Sequence, residues 1–251
     1  MRIRPEFCCL LAAALACNPS AGPGTGLQSV VPGNDTPLPV AEREAYRDDA
    51  ARLALRYETQ GGDPAAYPAD IPTAYATALY NALIHVYTAT GVAATDSVTS
   101  LYHVHTFGMP VTRELYLEVD TTLAWVRALR GGALPTGNTQ VDQLLDRFGL
   151  TLASFSFDVP VLRARQPLNM AAVAVLFEGI PGVLSAAPNG LFGDGDDVRA
   201  SAAPNGWRLE YSVGSGDCPA GCLARHAWTF LVTPDGSVTF QGSSGAPLPA
   251  M

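Results

Sequence analysis

The chain has no lysine: all 15 basic residues are arginine, set against 23 carboxylates for a formal net charge of −8. Without a side-chain amine there is no Schiff-base chemistry, no Walker-type phosphate loop and no Ser–Lys pair. An acidic surface is repelled by phosphate backbones, so nucleic acid is not an expected partner. Histidine is scarce too, with four residues, and this confines imidazole chemistry to few positions. No H-E-x-x-H and no G-x-S-x-G elbow occurs, and GPGTG at Gly22–Gly26 stands in a turn-forming stretch rather than between a strand and a helix. No apolar run beyond the N-terminal region is long enough to cross a bilayer. On these grounds no catalytic residue, cofactor or metal ligand set is assigned.

Cysteine is also sparse, and its five positions are informative. Arg2 and Arg4 precede a short apolar run, Phe7–Ala16, that ends in the small-x-small triplet Ala14-Leu15-Ala16. This is the layout of a secretory signal, so residues 1–16 are expected to be a signal peptide cut before Cys17. The junction resembles the bacterial lipoprotein signal, and the resemblance implies lipid attachment at Cys17. Lipidation would also account for an otherwise odd cysteine in an exported chain. Plain secretion, to the periplasm or the medium, is the alternative. Residues 17–39 are rich in Gly, Pro, Ser and Asn and read as a flexible tether, leaving residues 40–251 as one α+β domain.

Within that domain Ala41–Glu58 reads as a helix, because Tyr46, Ala50, Leu53 and Tyr57 share one face. Asp48 and Arg52, one turn apart, are expected to pair on its outer side. Pro72–Thr90 reads as a second helix with Tyr75, Leu79, Leu83 and Val86 inward, completing a helical part over about 40–95. Part of Ser97–Phe107 is expected to be a strand. Glu114–Asp120 alternates Leu115, Leu117 and Val119 against Glu114, Tyr116 and Glu118, the pattern of a half-buried strand.

Helices follow at Thr121–Leu129 and Gln140–Phe148, the latter capped by Asn138 or Thr139 and stopped by Gly149. Leu150–Phe157 and Val159–Arg165 read as a hairpin, Asn169–Glu178 as a helix capped by Asn169, and Gly182–Ala187 as a strand. Over about 113–188 this order is a split βαβ pair, the ferredoxin-like sandwich. The tail, about 205–243, reads as a β-hairpin region. Trp207–Val213 alternates, and His226–Val232 meets Ser237–Gly242 through the turn TPDG.

Three clusters could carry chemistry. His103 and His105, two apart on a strand, would face the same way and could share a metal with His85 or His226. Asp194, Asp196 and Asp197 form a carboxylate loop of calcium-binding type, but Val198 at the fifth position and the lack of Glu at the twelfth exclude an EF-hand, which favours a solvated acidic turn. Cys218 and Cys222, in GSGDCPAGCLARHAWTF, could be zinc ligands, a redox pair or a disulfide. Export favours the disulfide, with Pro219-Ala220-Gly221 closing the turn.

Two resemblances extend this reading. The runs Leu144–Leu150, Val161–Arg165, Leu168–Phe177 and Gly182–Asn189 resemble the inhibitory propeptides of subtilisin-type proteases. That resemblance implies the ferredoxin-like fold and a capacity to bind a protease. Cys218, Pro219, Gly221 and Cys222 ahead of Trp228 and Phe230 resemble a C-P-x-G-C segment of uncharacterised bacterial secreted or lipid-anchored proteins. The expectation is therefore a lipid-anchored envelope or surface protein acting as a non-enzymatic binding or scaffolding module. Its partners would be the membrane, through the anchor, and an envelope protein or protease. A metal-dependent enzyme using His103 and His105 is the alternative.

Overall fold

The computed structural model describes residues 28–108, 111–190 and 193–248, without the side chains of 111 and 112. The expected signal peptide, Cys17 and the first part of the tether lie outside the described residues. In chain order the elements begin with α1 (Val40–Thr59), α2 (Thr73–Thr88) and a short α3 (Ala93–Asp96) that runs into a π-helical turn over Ser97–Leu101. The middle of the chain holds β1 (Val111–Val119), α4 (Ala124–Arg130), α5 (Thr139–Arg147), β2 (Thr151–Ser156), β3 (Val159–Asn169), α6 (Met170–Glu178) and β4 (Val183–Pro188). Four strands close the chain: β5 (Asp197–Ala203), β6 (Gly206–Ser215), β7 (Ala224–Val232) and β8 (Val238–Gly245). The fold is α+β, with two four-stranded antiparallel sheets.

The central part is the expected ferredoxin-like sandwich. Its strand order is β2-β3-β1-β4, so each βαβ crossover is split by an antiparallel strand. Leu115, Leu117 and Val119 of β1 and Leu162 and Ala164 of β3 turn to one face, where Trp125, Val126, Leu129, Val141, Leu145, Val173 and Phe177 of the helices bury them. Asn138 caps α5, accepting from the N–H groups of Gln140 and Val141 at 3.0 and 3.3 Å. Asn169 does not cap α6 with its side chain, contrary to expectation. Its amide instead donates to the carbonyls of Pro64 and Pro68, tying the α1–α2 connector to this unit.

The second core joins the N-terminal helices to the C-terminal sheet. Strands β5 to β8 form a meander in sequence order. Trp207, Leu209 and Tyr211 of β6 stand opposite Val232, Phe230 and Trp228 of β7, and the period of two sends all six against α1 and α2. There they meet Tyr46 and Leu53 of α1 and Leu79, Leu83 and Val86 of α2. The tail is therefore a full sheet. Strand β5, which the composition of DVRASAA does not announce, is recruited by pairing with β6 from Asp197↔Ser212 to Ala203↔Gly206.

Two further expectations need correction. Residues 28–39 are packed rather than a free tether: Val30 and Leu38 are buried, the Trp207 indole donates to the Gln28 carbonyl at 2.6 Å, and Asn81 donates to the Val30 carbonyl at 2.9 Å. The buried donors of Trp207 and Asn81 need acceptors, and this segment supplies them. Ser97–Phe107 contains no strand; after the π turn the chain runs irregularly, with His103 at φ +47°. Its apolar residues are satisfied singly, Val98 and Val104 entering the core while Leu101 stays exposed.

Candidate functional site

The two units meet along α1, and the junction is built from charged side chains. Arg113 of β1 bridges it. Its guanidinium donates to both oxygens of Asp48, at 2.7 to 3.2 Å, to Glu44 at 3.1 Å, and to the carbonyl of Arg165. Hydrogen bonds and charge from Asp48 and Glu44 raise the Arg113 pKa further. Asp48 therefore pairs across the junction and not with Arg52, as helix spacing had suggested.

A bulge in β3 explains the reach to Arg165. Glu114 pairs with Arg163 and Thr112 with Leu168, so two steps along β1 face five along β3, a surplus of three residues. The extra length pushes Arg165, Gln166 and Pro167 out of the ladder toward α1, the re-aiming that bulges produce. Between this bulge and the helices lies a cleft of about 620 Å³. Ala50, Ala51, Ile71 and Leu168 give it an apolar floor, while Arg47, Glu44, Asp70 and Arg165 stand at its rim. A second cleft of about 520 Å³ lies on the other side of Arg113, where Arg52 and Asp48 of α1 face Glu114, Arg163 and Asn189. Arg163 and Asn189 both bond the Glu114 carboxylate there.

His105 stands beside this junction with a partner that pair-based reading did not name. Asp49, fully buried, accepts from the His105 Nδ1 at 2.6 Å and from the N–H and hydroxyl of Thr106 at 2.9 and 2.5 Å. The Glu42 carboxylate lies 3.5 Å from Nε2 on the other side of the ring. Burial lowers the proton affinity of this imidazole, but the hydrogen bond and charge of Asp49, with the charge of Glu42, outweigh it and leave the His105 pKa raised. A signal for this cluster exists in the sequence. Asp49 falls three residues after Tyr46 and four before Leu53, on the apolar face of α1, and a carboxylate there requires a partner.

The four histidines do not converge. His103 is exposed, His85 Nε2 bonds the Val31 carbonyl at 2.9 Å, and His226 Nδ1 bonds the Ala246 carbonyl at 2.7 Å while its ring packs edge-on to Trp228. Among the described residues no group of three or more His, Cys, Asp or Glu side chains is placed to hold a metal ion. The strand that would have aligned His103 with His105 is absent.

The acidic loop is a clamp rather than a solvated turn. Asp194 bonds Arg225 at 2.6 Å and the Gly195 and Cys222 N–H groups, and these bonds hold its carboxyl below the usual carboxylate range. Asp196 accepts from the Gly214 N–H, and Asp197 from Arg56 and the Phe107 N–H, each at 2.9 Å. The three carboxylates thus serve three different segments. Cys218 and Cys222 are disulfide-bonded with Cα atoms 3.9 Å apart. The bridged loop is keyed to its surroundings: the Asp194 N–H donates to the Cys218 carbonyl, and a Cβ on Gly214 would collide with the Cys222 sulfur.

Comparison with protein-family models, with curated proteins and with solved structures finds no match to this chain.

Proposed function

We propose that the chain is an exported binding module, anchored to the bacterial envelope by lipid on Cys17, whose ferredoxin-like unit docks a partner protein on the outer face of its sheet. One observation carries the reading. The helices of this unit lie on one side of the sheet, and among the described residues Glu118, Thr151 and Arg163 on the other side are exposed, with Tyr116 and Val161 half-buried between them. In register, Tyr116 stands beside both Val161 and Ala187, so an aromatic and small apolar centre is rimmed by charge. That arrangement suits a protein interface.

The sharpest form of the proposal is inhibition of a subtilisin-type protease. The propeptide-like run over 144–189 and the β2-β3-β1-β4 order both support it. Titrating a panel of subtilisin-type proteases with the mature protein is expected to reduce the activity of at least one in proportion to added protein. Residual activity unchanged at micromolar protein overturns the inhibitor form. The anchor is tested separately: Cys17→Ser is expected to move the protein from the membrane to the soluble fraction, and unchanged partitioning removes the lipid from the account.

A further inference from the structure

The cleft between the β3 bulge and the helices has a feature that neither fold nor docking face explains. Two opposite charges stand in its lining without partners: the guanidinium of Arg165, on the bulge, and the carboxylate of Asp70, just before α2, make no hydrogen bond or ion pair with any described residue. The other rim charges are engaged, Arg113 with Asp48 and Glu44, and Arg47 with Glu44 at 2.5 Å. The field left over is thus that of one free guanidinium and one free carboxylate above an apolar floor.

A bare anion drawn to Arg165 is opposed by Asp70, and a bare cation by the reverse; a molecule carrying both charges with an apolar body between them satisfies both. The volume, about 620 Å³, is that of sites holding drug-sized molecules. From this complementarity we infer that the cleft binds a short apolar peptide with free ends, its terminal carboxylate on Arg165, its terminal ammonium on Asp70, and its side chains on Ala51, Ile71 and Leu168. The bulge is what builds the site. It lifts Arg165 out of the sheet, and the bond from Arg113 to the Arg165 carbonyl fixes the backbone that presents it. Guanidinium also suits a carboxylate better than an ammonium would, because it offers two parallel donors.

The inference stands apart from protease docking, since the outer sheet face takes no part in it. Calorimetric titration of the full chain with Ala-Leu-Ala, free at both ends, is expected to show saturable one-to-one binding. Amidating the C-terminus or acetylating the N-terminus should each weaken it about tenfold or more, the loss of one charge-assisted contact. Arg165→Gln should weaken the free peptide by a similar factor yet leave the affinity of the amidated one unchanged, and Asp70→Asn should do the same for the acetylated one. Both positions are exposed, and circular dichroism of the variants is expected to match the parent. No heat with the free tripeptide at millimolar concentration overturns the inference. So does equal affinity for the doubly blocked peptide, and so does octanoate binding as tightly as the peptide, which would assign the cleft to amphiphilic anions.

Discussion

A single buried carboxylate does the most specific work in the molecule. Asp49 is surrounded by the apolar residues of α1 and neutralises its burial by collecting the His105 ring, the Thr106 hydroxyl and the Thr106 N–H. Asp49→Ala leaves three donors without an acceptor and is expected to cost about 3 kcal/mol, read by urea denaturation. The histidine side gives a pH signature. Because the folded state raises the His105 pKa, its contribution is fully present below the ordinary histidine value, about 6.5, and is lost as pH rises through the folded value. The protein is therefore expected to lose stability more steeply than His105→Gln as pH rises above the ordinary histidine value of about 6.5, with melting temperatures followed upward from there as the measurement. Equal slopes would show that the imidazole does not hold its proton against Asp49. His103 illustrates the limit of pairwise sequence reading: the two imidazoles share a motif, yet the left-handed turn at His103 gives them different surroundings.

Among the elements, legibility followed periodicity. β1 and β6 alternate so regularly that their inward residues, Leu115, Leu117 and Val119, and Trp207, Leu209, Tyr211 and Val213, were readable without a structure. Asn138 and Gly149 marked the ends of α5 by backbone chemistry. β5 was not readable, because Ala200, Ser201 and Ala202 carry little strand preference and the hydrogen bonds of β6 supply what the residues lack. The segment 28–39 was misread because turn-forming composition speaks of conformational freedom and is silent on Val30 and Leu38, which the second core buries. Of the candidate site, the carboxylates were visible but their long-range partners were not: Asp48 finds Arg113, and Asp197 finds Arg56, across separations no spacing rule reaches. The short disulfide belongs to this scale as well. Closing so small a loop removes little entropy from the unfolded chain, so Cys218→Ser with Cys222→Ser is expected to cost about 2 kcal/mol, and the unreduced parent should show no reactive thiol at either position. A larger effect is expected at Gly206, held at φ +134° with the Val232 carbonyl where a Cβ would be; Gly206→Ala should open the β5–β6 turn and lower the melting temperature more than the double serine variant.

At the scale of the whole molecule, two large hydrophobic cores, with a small third cluster at Ala51 and Leu55 of α1, are joined in part by polar contacts, the Arg113 cluster and the Asn169 amide chief among them. Polar junctions between separately packed units couple them less strongly than a shared apolar core would. Arg113→Ala is accordingly expected to lower stability by about 1–2 kcal/mol and to broaden the thermal transition as the units begin to melt apart; a sharp transition at the parent temperature would place the coupling elsewhere. The same division separates the tasks assigned to the surface. The junction cleft offers small-molecule chemistry, whereas the outer face of the ferredoxin-like sheet offers area. The claim that this face docks the partner is tested most directly by placing a charge at its centre. Tyr116→Arg leaves the inward residues of β1 untouched, so the variant is expected to fold as the parent does and to need at least about tenfold more protein for the same loss of protease activity, the effect of removing a central aromatic contact. Inhibition by Tyr116→Arg equal to that of the parent would contradict the account.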